Sequence, residues 1–355
     1  MKELTDFVEI SKYAGERFDI SQAGGGNSSV KLANGEMVIK ASGFSLSEMG
    51  YNSGYSRVIT DDIAKILENK VVIEGAVKRE REEVVSKLLY KGTLEGSPKP
   101  SIETILHSLL AKYTLHTHPV AVNIITAQIN WRETLSSIFK NKEMVFVSYK
   151  TPGIELAIEL KRQMEVFQNT PKIIFLQNHG LIISSDDKDY VIDQTEHVLK
   201  NIEKYLNIDL SRYKSTTELS NLLRSIRKHD NISYFSEDAF LKESLIKNRA
   251  IFLKRPFCPD SLVYCGMNCV EIYDFADATP VKNYLNQHGE LPKVIICEDN
   301  VFFIAPSVKK AKEIEEVFKF HIMVLSQNSG DVNFLNLEEL LYLSNWEAEK
   351  YRQKL

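Results

Sequence analysis

Two histidines stand one residue apart in LHTHP, residues 115 to 119, in a chain that holds only eight. In a β-strand, side chains at i and i+2 leave the same face. His116 and His118 would therefore present two imidazoles a few ångströms apart, a pair able to hold one divalent metal. A third nitrogen is on offer at His179, in QNHGLII, at the turn that follows the apolar run KIIFL. Three protein ligands with one position left open is the pattern of a catalytic zinc, whereas structural sites are closed by four. On residue types alone, a hydrogen-bonded turn histidine is the plainer account of His179. Glu103, in KPSIETILH, is the acid candidate. It falls in the first turn of a predicted helix capped by Ser101, at a helix end that attracts anions, where its pKa can be tuned for proton transfer. An acidic residue in a first turn also serves simply to complement the helix dipole.

Two glycine- and serine-bearing loops add donors. AGGGNSS, residues 23 to 29, supplies Gly26, Asn27 and Ser28; its glycines let main-chain amides turn toward a ligand. It is neither a dinucleotide fingerprint nor a Walker loop. KASG, residues 40 to 43, follows with Lys40, Ser42 and Gly43. With Ser101 at the helix start, these segments would grip a phosphate mainly through neutral donors, and Lys40 adds charge. Each loop taken alone is ordinary turn chemistry. His107, four residues after Glu103 on the same helix face, reads as a core or supporting histidine. Cys265 and Cys269, with Cys258 nearby, sit in apolar VYCGMNCV and read as buried thiols.

The elements that must position these residues follow from periodicity and punctuation. Residues 4 to 18 predict a helix. VKLANGEMVIKAS predicts a hairpin about Asn34-Gly35. ITDDIAKILEN predicts a short helix, VVSKLLYKGTLEGSPKP a mixed stretch, and SIETILHSLLAKY a helix. TLHTH predicts a strand ended by Pro119, and VAVNIITAQ opens the next helix. MVFVSY, KIIFL and GLIIS predict strands; GIELAIELKRQMEVF and DKDYVIDQTEHVLKNIEKYL predict helices. Residues 211–250 are polar and charged and read as a helical connector. Beyond it, PDSLVYCG and PKVIICEDNVFFIAP predict strands. TPVKNYLNQH, SVKKAKEIEEVFKFHIMVLSQ and the terminal stretch with Trp346, Glu347 and Tyr351 predict helices. Alternating strands and helices with short strand connections imply an α/β layered domain rich in antiparallel pairing.

At 355 residues, 43% hydrophobic and 26% charged, the chain has the make-up of a globular protein of about two domains. A formal charge of −4 argues against nucleic-acid partners, which want a basic face. Four cysteines do not make a disulfide framework. The first residues, MKELTDFVEISKYAGERF, lack the apolar stretch of a signal peptide. No apolar run approaches the ~18 residues of a membrane span. The expectation is a cytoplasmic protein without a membrane partner.

The order GGGNSS, KASG, PSIE, HTH, NHG resembles the class II, zinc-dependent sugar-phosphate aldolase/adducin family over about residues 5 to 205. GGGNSSVK, SIETILH and NWEAEKYR are similar to the aldolase half of bifunctional rhamnulose-1-phosphate aldolase/alcohol dehydrogenases, without their dehydrogenase half. The resemblance implies a three-layer α/β/α fold with a mostly antiparallel central sheet in residues 1–210, followed by the connector and a small C-terminal α/β unit in residues 251–355. It assigns metal binding, by zinc or another divalent metal, to His116, His118 and His179, acid/base work to Glu103, and substrate phosphate to Gly26, Asn27, Ser42, Gly43 and Ser101. Where many small family members carry a second serine, this chain has Ile102, so one hydroxyl is lost from the phosphate grip. The implied reaction is reversible aldol cleavage of a ketose phosphate to dihydroxyacetone phosphate, or a related ketone, and an aldehyde. Its enediolate is stabilised by a Lewis-acidic metal and no Schiff-base lysine takes part. The same fold also serves pentulose-phosphate 4-epimerases, sugar-acid decarboxylases and non-catalytic adducin-type binding domains. A homo-oligomer, tetramer or dimer, is the family's common form.

Overall fold

The computed structural model describes residues 2–75, 77–140, 144–167, 170–328 and 330–345. The stretch with Trp346, Glu347 and Tyr351 lies outside them. The chain divides into two compact units, Met1–Ser211 and Arg212–Leu355.

The first unit opens with α1 (Lys2–Gly15), then the predicted hairpin of β1 (Asn27–Lys31) and β2 (Glu36–Lys40). Gly35 holds φ at +85° in the connecting loop, a conformation that glycine adopts without steric cost. β3 (Tyr55–Ile59), α2 (Thr60–Ala64), α3 (Lys70–Glu74) and α4 (Lys78–Lys91) follow. The chain continues through α5 (Thr104–Ser108), β4 (Tyr113–Thr117), α6 (Val120–Thr126), α7 (Trp131–Ile138) and β5 (Val145–Val147). It ends with α8 (Ile154–Phe167), β6 (Ile173–Leu176), β7 (Gly180–Ser185) and α9 (Lys188–Leu206).

Seven strands form one sheet in the order β3-β2-β1-β4-β7-β6-β5. Every neighbouring pair is antiparallel except β5 with β6. Strand alternation splits the apolar residues between two cores. Val38, Phe175, Leu181 and Ile183 face the layer of α1, α6, α7 and α9. Met37, Ile39, Ile174 and Ile182 face the layer of α2, α3, α4, α5 and α8. This is the expected α/β/α sandwich with a mostly antiparallel sheet.

Two local expectations need correction. The helix predicted across SIETILHSLLAKY is only α5, five residues long. Ser101 does not cap it as its first boundary residue; its Oγ accepts from the Glu103 amide at 3.3 Å, an ST-turn leading into the helix. The stretch VVSKLLYKGTLEGSPKP, read as mixed, begins inside the 14-residue α4, whose charged surface left little apolar periodicity to detect.

The second unit carries α10 (Lys214–Ile226), β8 (Ile232–Phe235), α11 (Ala239–Lys247), α12 (Pro259–Cys265), β9 (Val270–Ile272) and α13 (Thr279–His288). β10 (Val294–Cys297), β11 (Asn300–Ala305), α14 (Val308–Gln327) and α15 (Leu337–Asn345) complete it. Its sheet runs β8-β11-β10-β9. Residues 211–250, expected as a helical connector, contribute α10 to one apolar core of this unit and the edge strand β8, which pairs antiparallel with β11. PDSLVYCG, expected as a strand, is α12. The short apolar run LVYC fits either period, and Pro259 at the first helical turn is a position where its fixed φ and missing N–H are no handicap. Cys265, Cys269 and Cys297 are buried and all four cysteines are free thiols; burial pushes the Cys265 and Cys269 thiols well up.

Candidate metal centre

His116 lies in β4 and His118 one residue beyond its end. β4 sits at the middle of the sheet, where it pairs with β1 (Asn27 opposite His116) and with β7 (Thr117 opposite Leu181). Continuing the second register by one step sets His118 against Gly180, so the turn between β6 and β7 brings His179 alongside. Asn178 makes that turn with φ at +52°. The three imidazole centroids lie 5.1, 4.7 and 5.0 Å apart. One ring nitrogen from each falls within 4.8 Å of the others. Strand alternation thus places the HxH pair as expected, and the sheet supplies the third nitrogen.

The donor set fits a divalent cation. Glu103 Oε2 lies 3.1 Å from His116 Nδ1. A carboxylate only accepts, so Nδ1 is the donor in this contact and Nε2 is the ring nitrogen left over. Nε2 of His116 and Nε2 of His118 are both buried with no hydrogen-bond partner in the structure. Orphaned buried ring nitrogens, one of them oriented by a carboxylate through the opposite nitrogen, are the arrangement that metal-binding histidines require.

The electrostatics point the same way. Burial, then repulsion from His116 and His179, pushes His118 down to about 3. Burial and repulsion from His116 push His179 down to about 4. Both imidazoles are therefore neutral at pH 7, the state that binds a metal. Burial opposes ionisation of Glu103, but attraction to His116 and the hydrogen bond from it outweigh that. With His179 and His107 adding to the effect, the carboxyl is held well below the usual carboxylate range. Its second oxygen lies 3.6 Å from His179 Nε2.

The other predicted residues gather in loops around this cluster, with different engagements. The three glycines of AGGGNSS are not equivalent. A Cβ at Gly24 would meet nothing, one at Gly25 would stand 2.7 Å from His118 Nδ1, and one at Gly26 would stand 2.8 Å from the His116 carbonyl. Gly26 also holds φ at +75°. Asn27 Oδ1 accepts from the Ser28 amide at 3.0 Å, while its Nδ2 is buried without a partner in the structure. Ser28 faces away: its hydroxyl is 2.7 Å from that of Ser11 on α1. Lys40 is buried and donates to the Phe44 carbonyl at 2.7 Å and the Gly24 carbonyl at 3.3 Å, bracing the glycine loop against the KASG turn. Burial lowers its pKa, against the pull of Glu103 and Glu48. Ala41 bridges Pro100 and the Ser42 amide donates to the Lys99 carbonyl at 2.9 Å, so KASG lies beside PSIE. Ser42 and Gly43 are exposed. Ile102 is 56% exposed and packs over Gly153, whose ideal Cβ would be 2.8 Å away. His107 is buried, 2.8 Å from the Ser29 hydroxyl through Nδ1, and stands outside the three-nitrogen group, as expected for a supporting histidine.

Two supporting residues gave no signal in the sequence. Asn123, on α6, donates through Nδ2 to the carbonyls of His179 and Pro119, each at 3.2 Å, tying the NHG turn to the end of HTHP. Gln22 donates to the His118 carbonyl at 3.4 Å. Only contacts made by the fold select them.

Residues 5–206 match the family model for the class II aldolase and adducin N-terminal domain. Among solved structures, the chain is similar to the N-terminal class II aldolase domain of a conserved protein from Thermoplasma acidophilum, at 25% identity over 57% of this chain and 93% of that one, with a TM-score of 0.48. It is also similar to a sugar-phosphate aldolase from Thermotoga maritima (16% identity, 58% and 94% covered, TM-score 0.42). An L-fuculose-1-phosphate aldolase from Thermus thermophilus gives 13% identity, 58% and 94% covered, and a TM-score of 0.37. No curated protein matches the chain.

Proposed function

Since the chain belongs to the class II aldolase and adducin family, we propose that it is a divalent-metal-dependent aldolase. It cleaves or forms a ketose phosphate, with dihydroxyacetone phosphate and an aldehyde as the smaller partners. The observation that carries this reading is the triangle of imidazoles with Glu103 set against two of them. His116, His118 and His179 would hold the cation, and an all-nitrogen donor set suits zinc. When bound, the metal supplies Lewis acidity toward the negative charge that carbon–carbon cleavage leaves on the ketone fragment.

The chain's own residues do the rest. Glu103 is buried and ionised, an acceptor for the proton that moves to and from the carbon that becomes nucleophilic. Through its other contact it keeps the proton of His116 on Nδ1. Asn27 Nδ2, Ser42, Gly43 and Ser101 are the donors for substrate phosphate, and Lys40 contributes positive charge from behind the loops it braces. Ile102 contributes no hydroxyl, which leaves the grip one donor short and presents an apolar lip instead. Kinship with the aldolase half of rhamnulose-1-phosphate aldolase/alcohol dehydrogenases is part of the proposal, supported by GGGNSSVK and SIETILH. The working form proposed is a cytoplasmic homo-oligomer, which light scattering on purified protein tests.

The deciding experiment measures metal by elemental mass spectrometry in wild type and His179→Ala, then screens ketose 1-phosphates and pentulose 5-phosphates for release of a ketone phosphate. About one zinc per chain, lost in the variant, with cleavage of one substrate class, is the expected result. Interconversion of pentulose phosphates without fragment release would make the enzyme an epimerase. Failure to bind zinc after reconstitution would sink the metal-dependent reading altogether.

A further inference from the structure

The second unit contains a cavity of about 420 Å³, within the range of small-molecule sites. It opens where β11 ends and α14 begins. Tyr264, Leu291, Ile304 and Ile314 give it an apolar wall, and Arg227, Lys228, Lys293 and Lys310 bring four cationic side chains. Among the described residues, two carboxylates, Glu290 and Glu313, line it as well, so this lining carries an excess of two positive charges on a chain whose net charge is −4. Glu313 is the partner of Lys310, at 3.1 Å. Lys293 Nζ donates to the Val263 carbonyl at 2.7 Å and Arg227 Nη1 to the Gly289 carbonyl at 3.3 Å. Neither Arg227 nor Lys293 has a carboxylate partner among the described residues. The first turn of the 20-residue α14 adds the positive end of a helix dipole.

Cations anchored to main-chain carbonyls are positioned without being neutralised. Beside an apolar wall they suit a ligand with a charged head and a greasy body. We propose that this cavity binds a small organic dianion, a phosphate or dicarboxylate head joined to an apolar body. The site lies wholly in the second unit and stands whether or not the first unit is an aldolase.

Phenyl phosphate and phthalate are the two probes, titrated calorimetrically into the full chain, with inorganic phosphate and phenol as the separate halves of the first. The expected result is saturable binding of at least one probe, about tenfold tighter than either half, in wild type and in His179→Ala alike. Combined Arg227→Glu and Lys293→Glu should remove one equivalent of binding or weaken it by about tenfold or more. Lys310→Gln, a milder change at the cavity rim, is measured beside it, with thermal unfolding of both, and should weaken binding in the same direction. The probe that wins identifies the head group. Absence of saturable binding in the millimolar range, or binding that both charge variants leave unchanged, would overturn the proposal.

Discussion

Alanine at position 25 is expected to weaken metal binding without touching a ligand. Gly25 does not occupy the left-handed region, so alanine meets no backbone penalty there. Its new Cβ would lie 2.7 Å from His118 Nδ1 and 3.0 Å from the Gln22 carbonyl. Ordinary contact begins near 3.4 Å, so the imidazole must retreat by about 0.7 Å. The main chain of His118 cannot follow easily, since its amide donates to the Ile20 carbonyl at 3.1 Å and its carbonyl accepts from Gln22. Metal–ligand distances tolerate roughly 0.2 Å. A displacement several times larger should cost about 10- to 100-fold in metal affinity, the range seen when a supporting contact is lost, or about 1.4–2.8 kcal/mol. Gly24→Ala is the internal control, because nothing lies within 4 Å of its Cβ. Zinc affinity is read by competition with a chromophoric chelator, and melting of the metal-free proteins separates general strain from loss of the site. Wild-type affinity in Gly25→Ala, or an equal loss in Gly24→Ala, would refute the assignment of His118 as a ligand held against this loop.

Glu103→Gln keeps an oxygen for the proton on His116 Nδ1 but removes the base; metal content should hold while the cleavage rate falls about 10²- to 10⁴-fold, read by steady-state kinetics. Asn123→Ala removes the donor shared by the His179 and Pro119 carbonyls; zinc affinity should fall about tenfold and stability by about 1 kcal/mol, checked by the same competition assay and by urea unfolding. In the second unit, His321 is buried, stacked on Phe257 and Phe318, and burial lowers its pKa to about 4. The unfolded chain takes up that proton near pH 6.5 and the folded chain only near pH 4. Stability is therefore unaffected well above pH 6.5 and falls as pH drops through that window, by up to about 3 kcal/mol. Denaturant unfolding at pH 7, 6 and 5 should show the slope in wild type and less of it in His321→Gln.

Much of the first unit was legible because its elements carry strong local signals. The Asn34-Gly35 turn, the short apolar runs MVI and IIFL, and the amphipathic pattern of α9 are each local signals. α4 did not, because a helix that buries only Val85 and Leu89 has too narrow an apolar stripe to register. α12 and a strand share the same short apolar run, and the decisive cue was a single proline. At the candidate metal centre, HxH declared a face, and QNHG offered His179 as a third nitrogen without fixing where it would lie. The β4–β7 register sets His179 beside that pair, a long-range fact that no window of sequence contains. Gly24, Gly25 and Gly26 read identically as letters, yet one faces open space, one lies under His118 and one must take a left-handed turn beside a carbonyl.

That register also sets when the centre can exist during folding. His116 and His179 are separated by about sixty residues of chain and meet only through β4, whose neighbours β1 and β7 come from distant parts of the unit. Such pairings must overcome loop-closure entropy before their contacts repay it. On the proposed metal-dependent reading, high-affinity metal capture therefore belongs to the chain whose central strand is already enclosed on both sides. A refolding chain that shows helical signal early should acquire tight zinc binding only with the slow step, so uptake of the ion times the closing of the sheet.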